Sequence, residues 1–222
     1  MRAFAELLDR LYFTHGNLAK AALLKDYFRR TPDPDRGWAV AAIAGELRFD
    51  LFKRALVRDL IVERTDPALF ALSYDYVGEM SETVAHLWPT EPTEADRAEL
   101  PSLREVIEKF RHRTKPEIRE YLTALLNVCT PAQRWALLKL GTQTLRVGIS
   151  ARFMKRVLAD YGDVALGEVE EVWHGLTPPY QELFAWLEGG APKPDTGEQV
   201  VFHPVMPGSR SEERRVGKEC RS

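Results

Sequence analysis

Residues 137–155 read LLKLGTQTLRVGISARFMK. Leu137, Leu138 and Leu140 belong to an apolar helical run, Gly141 and Gly148 bracket a loop, and Ser150 is a residue type that opens helices. The stretch therefore predicts a helix end, a short glycine-punctuated loop and a helix start. From Tyr121 to Ala159 there is no Asp or Glu, while Arg134, Lys139, Arg146, Arg152, Lys155 and Arg156 all fall inside. Free amides at a helix start, surrounded by cations and without a competing acid, form a phosphate site. The alternative is a turn between two packed helices whose cations are simply solvated.

Working toward the N-terminus, the pattern stays helical. Phe4, Leu7, Leu8 and Leu11 recur at helical spacing, and Asn17 is expected to cap a second helix through Ala21, Leu24 and Phe28. Lys20, Lys25, Arg29 and Arg30 lie mostly off its apolar stripe. Asp35 is expected to start a helix through Trp38, Ala41 and Ala42, and Asp50 to cap one carrying Leu51, Phe52, Ala55, Leu56 and Leu60. Asp66-Pro67 pairs a cap with a first-turn proline, and Phe70, Leu72, Tyr76 and Val77 are expected on the inner side of the helix that follows. Residues 89–101 are proline-rich and acidic and read as a connection. Helices then follow from Leu103, from Lys115-Pro116, and from Thr130-Pro131-Ala132-Gln133, which has the form of a capping box.

Working toward the C-terminus, Ser150 is expected to cap a helix over 151–160. Shorter helices are expected around Leu166–Trp173 and Pro178–Leu187. No period-2 strand pattern precedes Gln199-Val200-Val201-Phe202. The fold class is all-α, with roughly ten helices in one domain over residues 1–188. A Gly- and Pro-rich linker is expected over 189–199, with a change of character from residue 200. Residues 208–222 (GSRSEERRVGKECRS) lack apolar periodicity and resemble translated vector or adapter DNA, so they are read as a non-native tail.

The 222 residues can bury a sizeable core, and 45% apolar with 29% charged residues is ordinary for a soluble globular chain. No run approaches the ~18 apolar residues that span a bilayer, and the N-terminus has no signal-peptide core, so a cytoplasmic protein is expected. Cys129 and Cys220 are too few for a disulfide framework, and Cys129 is expected in the core. A formal net charge of −2 excludes an all-over basic protein but permits a basic face.

No HExxH, Walker-type P-loop or GxSxG sequence is present, and the five histidines show no metal-ligand spacing. Lys193-Pro194-Asp195-Thr196-Gly197 comes near the K-x-D-G form of a lysine that accepts AMP, with one residue too many before the glycine. No catalytic residue and no metal site is expected in this chain.

Leu137-Leu138-Lys139-Leu140, Gly141 and Leu145-Arg146-Val147-Gly148-Ile149-Ser150-Ala151-Arg152 together resemble the signature of the N-terminal DNA-binding domain of ATP-dependent DNA ligases, roughly LLKL-x-TG-x-LRVGVSARL. Further resemblance to the bacterial multidomain branch lies in FAELLDRL, Tyr27-Phe28, Arg36-Gly37-Trp38, the run Phe70–Gly78 and Ala85-His86-Leu87-Trp88. One departure is Thr142-Gln143 in place of TG, with the glycine at Gly141. The resemblance implies a helical domain lying across the minor groove on both sides of a nick. Lys139, Gly141, Thr142, Arg146, Gly148, Ser150, Arg152 and Lys155 are then the expected DNA contacts, with Leu145, Val147 and Ile149 in the core. Phe202-His203-Pro204-Val205-Met206 resembles the start of the family's nucleotidyltransferase domain, so residues 200–207 are read as its beginning. Family chemistry uses ATP and Mg2+ through that domain, and this chain carries none of the reacting groups. The expected partner is nicked double-stranded DNA, bound by a monomer without sealing. The alternative is an α-helical scaffold that binds a protein partner.

Overall fold

A computed structural model describes residues 1–89 and 99–195. The end of the expected linker at 196–199, the expected nucleotidyltransferase start at 200–207 and the tail at 208–222 lie outside the described residues. Twelve helices are found among the described residues, and no strand. They are α1 (Arg2–Phe13), α2 (Asn17–Arg30), α3 (Asp35–Ala44), α4 (Arg54–Val62), α5 (Pro67–Val77), α6 (Met80–Leu87), α7 (Leu103–His112), α8 (Lys115–Val128), α9 (Pro131–Thr142), α10 (Ala151–Gly162), α11 (Leu166–Trp173) and α12 (Gln181–Leu187).

Several starts are dictated locally. The Asp66 carboxylate accepts from the amides of Ala68 and Leu69 at 2.8 and 3.0 Å, with Pro67 in the first turn. Thr130 and Gln133 form the reciprocal box: the Thr130 amide donates to Gln133 Oε1 at 2.9 Å, and the Gln133 amide to Thr130 Oγ1 at 3.4 Å. Ser150 Oγ accepts from the amide of Phe153 at 3.1 Å.

Other starts differ from the local reading. Asn17 makes no cap bond, and Gly16 occupies the cap position of α2. Asp35 lies in α3, but its carboxylate accepts from the amides of Leu103 and Arg104, both at 2.9 Å, so from 68 residues away it adds to the Ser102–Glu105 capping box of α7. Asp50 caps nothing, because α4 begins only at Arg54, after Lys53. The helix expected from Pro178 begins at Gln181, after Tyr180 in the left-handed region at φ 54°.

The core joins the two ends of the described chain. Phe28 of α2 packs edge-on against Phe184 of α12 and Tyr161 of α10, at centroid distances of 5.4 and 5.6 Å. A second aromatic knot places Phe110 at 4.9 Å from Phe52 and 5.8 Å from Phe49. Burying each such ring contributes roughly 1.5–3 kcal/mol. Cys129 is fully buried, as expected, and burial pushes its thiol up to about 11.

On α5 only Phe70 is buried; Leu72 and Tyr76 are 71% and 92% exposed. The inner-face reading of Leu72, Tyr76 and Val77 is thus wrong. This helix is apolar nearly all round, so periodicity could not choose a face, and contact with α4 and α6 covers only one.

Arg36 of α3 ties the end of the last helix to α2 and to the turn at Asp33. Its guanidinium donates to both carboxylate oxygens of Asp33, at 2.9 and 2.7 Å, and to both of Glu188, at 2.5 and 2.9 Å. It also donates to the Phe28 carbonyl at 3.2 Å and stacks 4.2 Å from the Phe184 centroid. Burial pulls its pKa down, but the Asp33 and Glu188 hydrogen bonds outweigh it and the net shift is upward. Gly37, next to it, faces the Pro179 carbonyl so closely that a Cβ would stand 1.5 Å from the oxygen.

Candidate nucleic-acid interface

Helix α9 ends where Gln143 turns left-handed at φ 58°, its amide bonded to the Leu140 carbonyl. The Gln143 side chain donates to the Phe49 carbonyl at 3.2 Å, which fastens the start of the loop to the core. Val147 is buried, and Leu145 and Ile149 are half-buried against the core. Gly148 follows at φ +69°, and a Cβ there would lie 2.4 Å from Lys20 Nζ.

Lys20 explains that crowding. It is buried, and its ammonium donates to the Val147 carbonyl at 2.6 Å. A residue placed off the apolar stripe of α2 by its spacing thus holds the loop from beneath. No local signal could have shown this, because the partner is 127 residues away.

The expected contact residues separate into three groups. Arg146, Gly148, Ser150 and Arg152 come together on the exposed loop and the first turn of α10. Arg146 and Arg152 have no ion-pair partner among the described residues. Ser150 keeps its hydroxyl oxygen on the Phe153 amide and its carbonyl on the Met154 amide, while the Ala151 and Arg152 amides point out of the first turn. The second group is half-buried. Thr142 donates its hydroxyl to the Leu138 carbonyl at 2.7 Å, and Lys155 lies over the Trp173 ring at 5.3 Å.

Lys139 and Gly141 form the third group, and their roles are internal. Lys139 pairs with Glu79 at 3.1 Å, and its side chain is only 12% exposed. Glu79 in turn caps α6, accepting from the amides of Ser81 and Glu82 at 3.2 and 2.8 Å. Burial pushes the Glu79 carboxyl up, but those two amides and Lys139 outweigh it and hold the group below the ordinary carboxylate range. Gly141 is buried in α9, where a Cβ would stand 1.4 Å from the Phe52 ring. Its small size admits that ring and brings no backbone toward a ligand.

Arg134, another cation of the acid-free run, is also internal. It donates to the carbonyls of Leu126, Ala85 and Trp88 at 2.7, 3.3 and 3.2 Å, at the ends of α8 and α6. Cations suit such carbonyls, although burial holds this guanidinium below its ordinary pKa.

Two arginines that the sequence did not single out are brought to the loop by tertiary structure. Arg54 lines a cleft of about 230 Å3 with Lys139, Thr142, Thr144 and Arg146. Arg48 lines a neighbouring depression with Gln143 and Leu145. On the other side of Arg146, an open hollow of about 470 Å3 runs past Asn17, Gly148 and Ser150 to Phe153. The candidate site is therefore a ridge of backbone fastened through Lys20 and Gln143, flanked by three clefts and bordered by four exposed arginines: Arg48, Arg54, Arg146 and Arg152.

Residues 1–159 match the family described as DNA ligase N terminus. The chain belongs to that family. No curated protein matches the chain. The match to the ligase N-terminal family ends at Ala159, inside α10, yet α11 and α12 complete the same core through Trp173, Tyr180, Leu183 and Phe184. In this ligase N-terminal chain Lys193 pairs with Glu171 at 2.6 Å. Among the described residues no group of three His, Cys, Asp or Glu is placed to hold a metal ion. No described helix is long and apolar enough to cross a membrane.

Proposed function

We propose that this chain is the DNA-clamping part of an ATP-dependent DNA ligase and grips nicked duplex through its phosphate backbone and minor groove. The observation that supports this reading is the ridge 145–150, exposed at Arg146, Gly148 and Ser150, fastened from below by Lys20 and flanked by arginines without ion pairs among the described residues, within a DNA ligase N-terminal chain. A pinned ridge loses little entropy when it meets a duplex, and guanidinium groups on either side match successive phosphates. Contacts of that kind position DNA without reading its sequence, as nick sealing requires.

Arg146 and Arg152 are the proposed phosphate contacts, joined by Arg48 and Arg54. The Ser150 hydroxyl and the first amides of α10 supply hydrogen bonds, and Gly148 lets the backbone come close. Lys139 supports the surface from behind through Glu79. ATP and Mg2+ would serve adenylation and sealing steps on a nucleotidyltransferase domain that begins near residue 200. With no K-x-D-G lysine in these 222 residues, the chain alone binds and does not seal.

The test is binding of a fluorescent nicked duplex across a salt series, beside a ligation assay with ATP and Mg2+. Affinity should fall steeply between about 50 and 200 mM salt. An absence of binding at low salt, or detectable sealing by the chain alone, would overturn the proposal.

A further inference from the structure

The opposite end of α9 carries a second surface with the contrary character. There Tyr12 and Phe13 of α1 meet Trp135 of α9, and the three rings wall a cleft of about 440 Å3. Tyr12 stands at 86° to Phe13 and at 64° to Trp135, with centroids 5.2 and 5.3 Å apart. Phe13 is 71% exposed and Tyr12 49%, an unusual outlay of aromatic surface. Asp9 and Glu82 line the same cleft. Neither carboxylate has an ion pair or a side-chain hydrogen bond among the described residues, although exposed Asp and Glu elsewhere on this chain are often paired.

Crossed aromatic rings offer negative π-faces, and two unpaired carboxylates add formal negative charge. Both features attract a cation that sheds its water readily. A guanidinium fits best, because it is planar, weakly hydrated, stacks on rings and forks onto carboxylates. Lys139 Nζ stands 5.9 Å from the Trp135 centroid, but its charge is matched by Glu79 at 3.1 Å, so it does not fill this role. Phosphate is repelled by the same carboxylates, which excludes DNA as the occupant. Trp135 and Thr142 are separated by roughly 10 Å along the helix axis, about one screening length, so the acidic cleft and the basic ridge act independently.

We propose that this cleft binds an arginine side chain presented by a protein partner, leaving the ridge at 145–150 free for DNA. The experiment titrates the full chain, labelled at its tryptophan indole nitrogens, with the blocked peptide Gly-Arg-Gly-Arg-Gly. The Trp135 resonance is assigned by its loss in Trp135→Phe. A saturable shift of that resonance is expected, and the Gly-Glu-Gly-Glu-Gly counterpart should produce none. The Asp9→Asn/Glu82→Gln pair should weaken binding about tenfold, and Phe13→Leu should weaken it independently, both with unchanged circular dichroism. No saturable shift at millimolar peptide would overturn the proposal. So would equal shifts from the acidic peptide, tighter binding of a lysine counterpart, or unchanged affinity in both variants.

Discussion

Lys20 Nζ donates to the carbonyl oxygen of Val147 at 2.6 Å, and this bond carries the geometry of the proposed DNA-binding ridge. It joins α2 to a loop that has no regular secondary structure of its own, beneath a left-handed Gly148. Lys20→Met keeps most of the volume but leaves the Val147 carbonyl unsatisfied. Loss of about 1.5–3 kcal/mol in urea unfolding is expected, with weaker DNA binding as the ridge loosens.

Gly148→Ala should be costlier for binding than its size suggests. The change strains a backbone at φ +69° and drives a methyl to 2.4 Å from the Lys20 ammonium. Combined with Lys20→Met, it should cost less than the two single changes summed, because both act on one contact. A double-mutant cycle of unfolding free energies measures this.

Arg146→Ala and Lys139→Ala should separate binding from stability. Arg146 is exposed and unpaired among the described residues, so its loss should leave unfolding nearly unchanged and reduce the log K against log salt slope by about 0.9. Lys139→Ala leaves the half-buried Glu79 without its cation. A loss of about 1 kcal/mol in stability is expected there, with a salt slope unaltered.

Gly141→Ala should be among the most damaging small substitutions in the chain. The new methyl falls 1.4 Å from Phe52 Cε1, inside the aromatic knot around Phe110. Overpacking of about 1–3 kcal/mol or more is expected, partly relieved by Phe52→Leu. Thermal unfolding of the single and double variants checks it.

Acid should loosen the α6–α9 contact through Glu79. Its carboxyl titrates below the ordinary value of 4.5, because the amide and Lys139 bonds outweigh burial. A depressed folded-state pKa contributes stability that is fully present above about pH 4.5 and is lost as pH falls through the folded value. Glu79→Gln should therefore flatten the fall in stability below that pH, while costing stability at neutral pH. Urea midpoints across a pH series decide it.

Most helices were legible in the sequence from signals that act within a few residues, although the local signals at Asn17 and Asp50 failed. The Thr130–Gln133 box, Asp66-Pro67 and the Ser150 cap are short-range hydrogen bonds, and each is where the sequence placed it. The acid-free run 121–159 and the LRVG loop drew attention to a segment whose Arg146, Gly148, Ser150 and Arg152 the structure brings together at the surface. Tertiary structure alone decided which of its cations face solvent. Lys139 and Arg134 lie on the same acid-free run as Arg146 and Arg152, yet Glu79 and the carbonyls of Ala85 and Trp88 take them inward. A buried cation is stable only where distant groups supply its hydrogen bonds, and spacing along a helix says nothing about those groups. The same holds for Gly141, whose reason is the Phe52 ring, and for Asp35, which caps a helix other than its own. Local chemistry thus placed several of the helix starts, and desolvation across the fold determined which polar groups remain exposed at the surface.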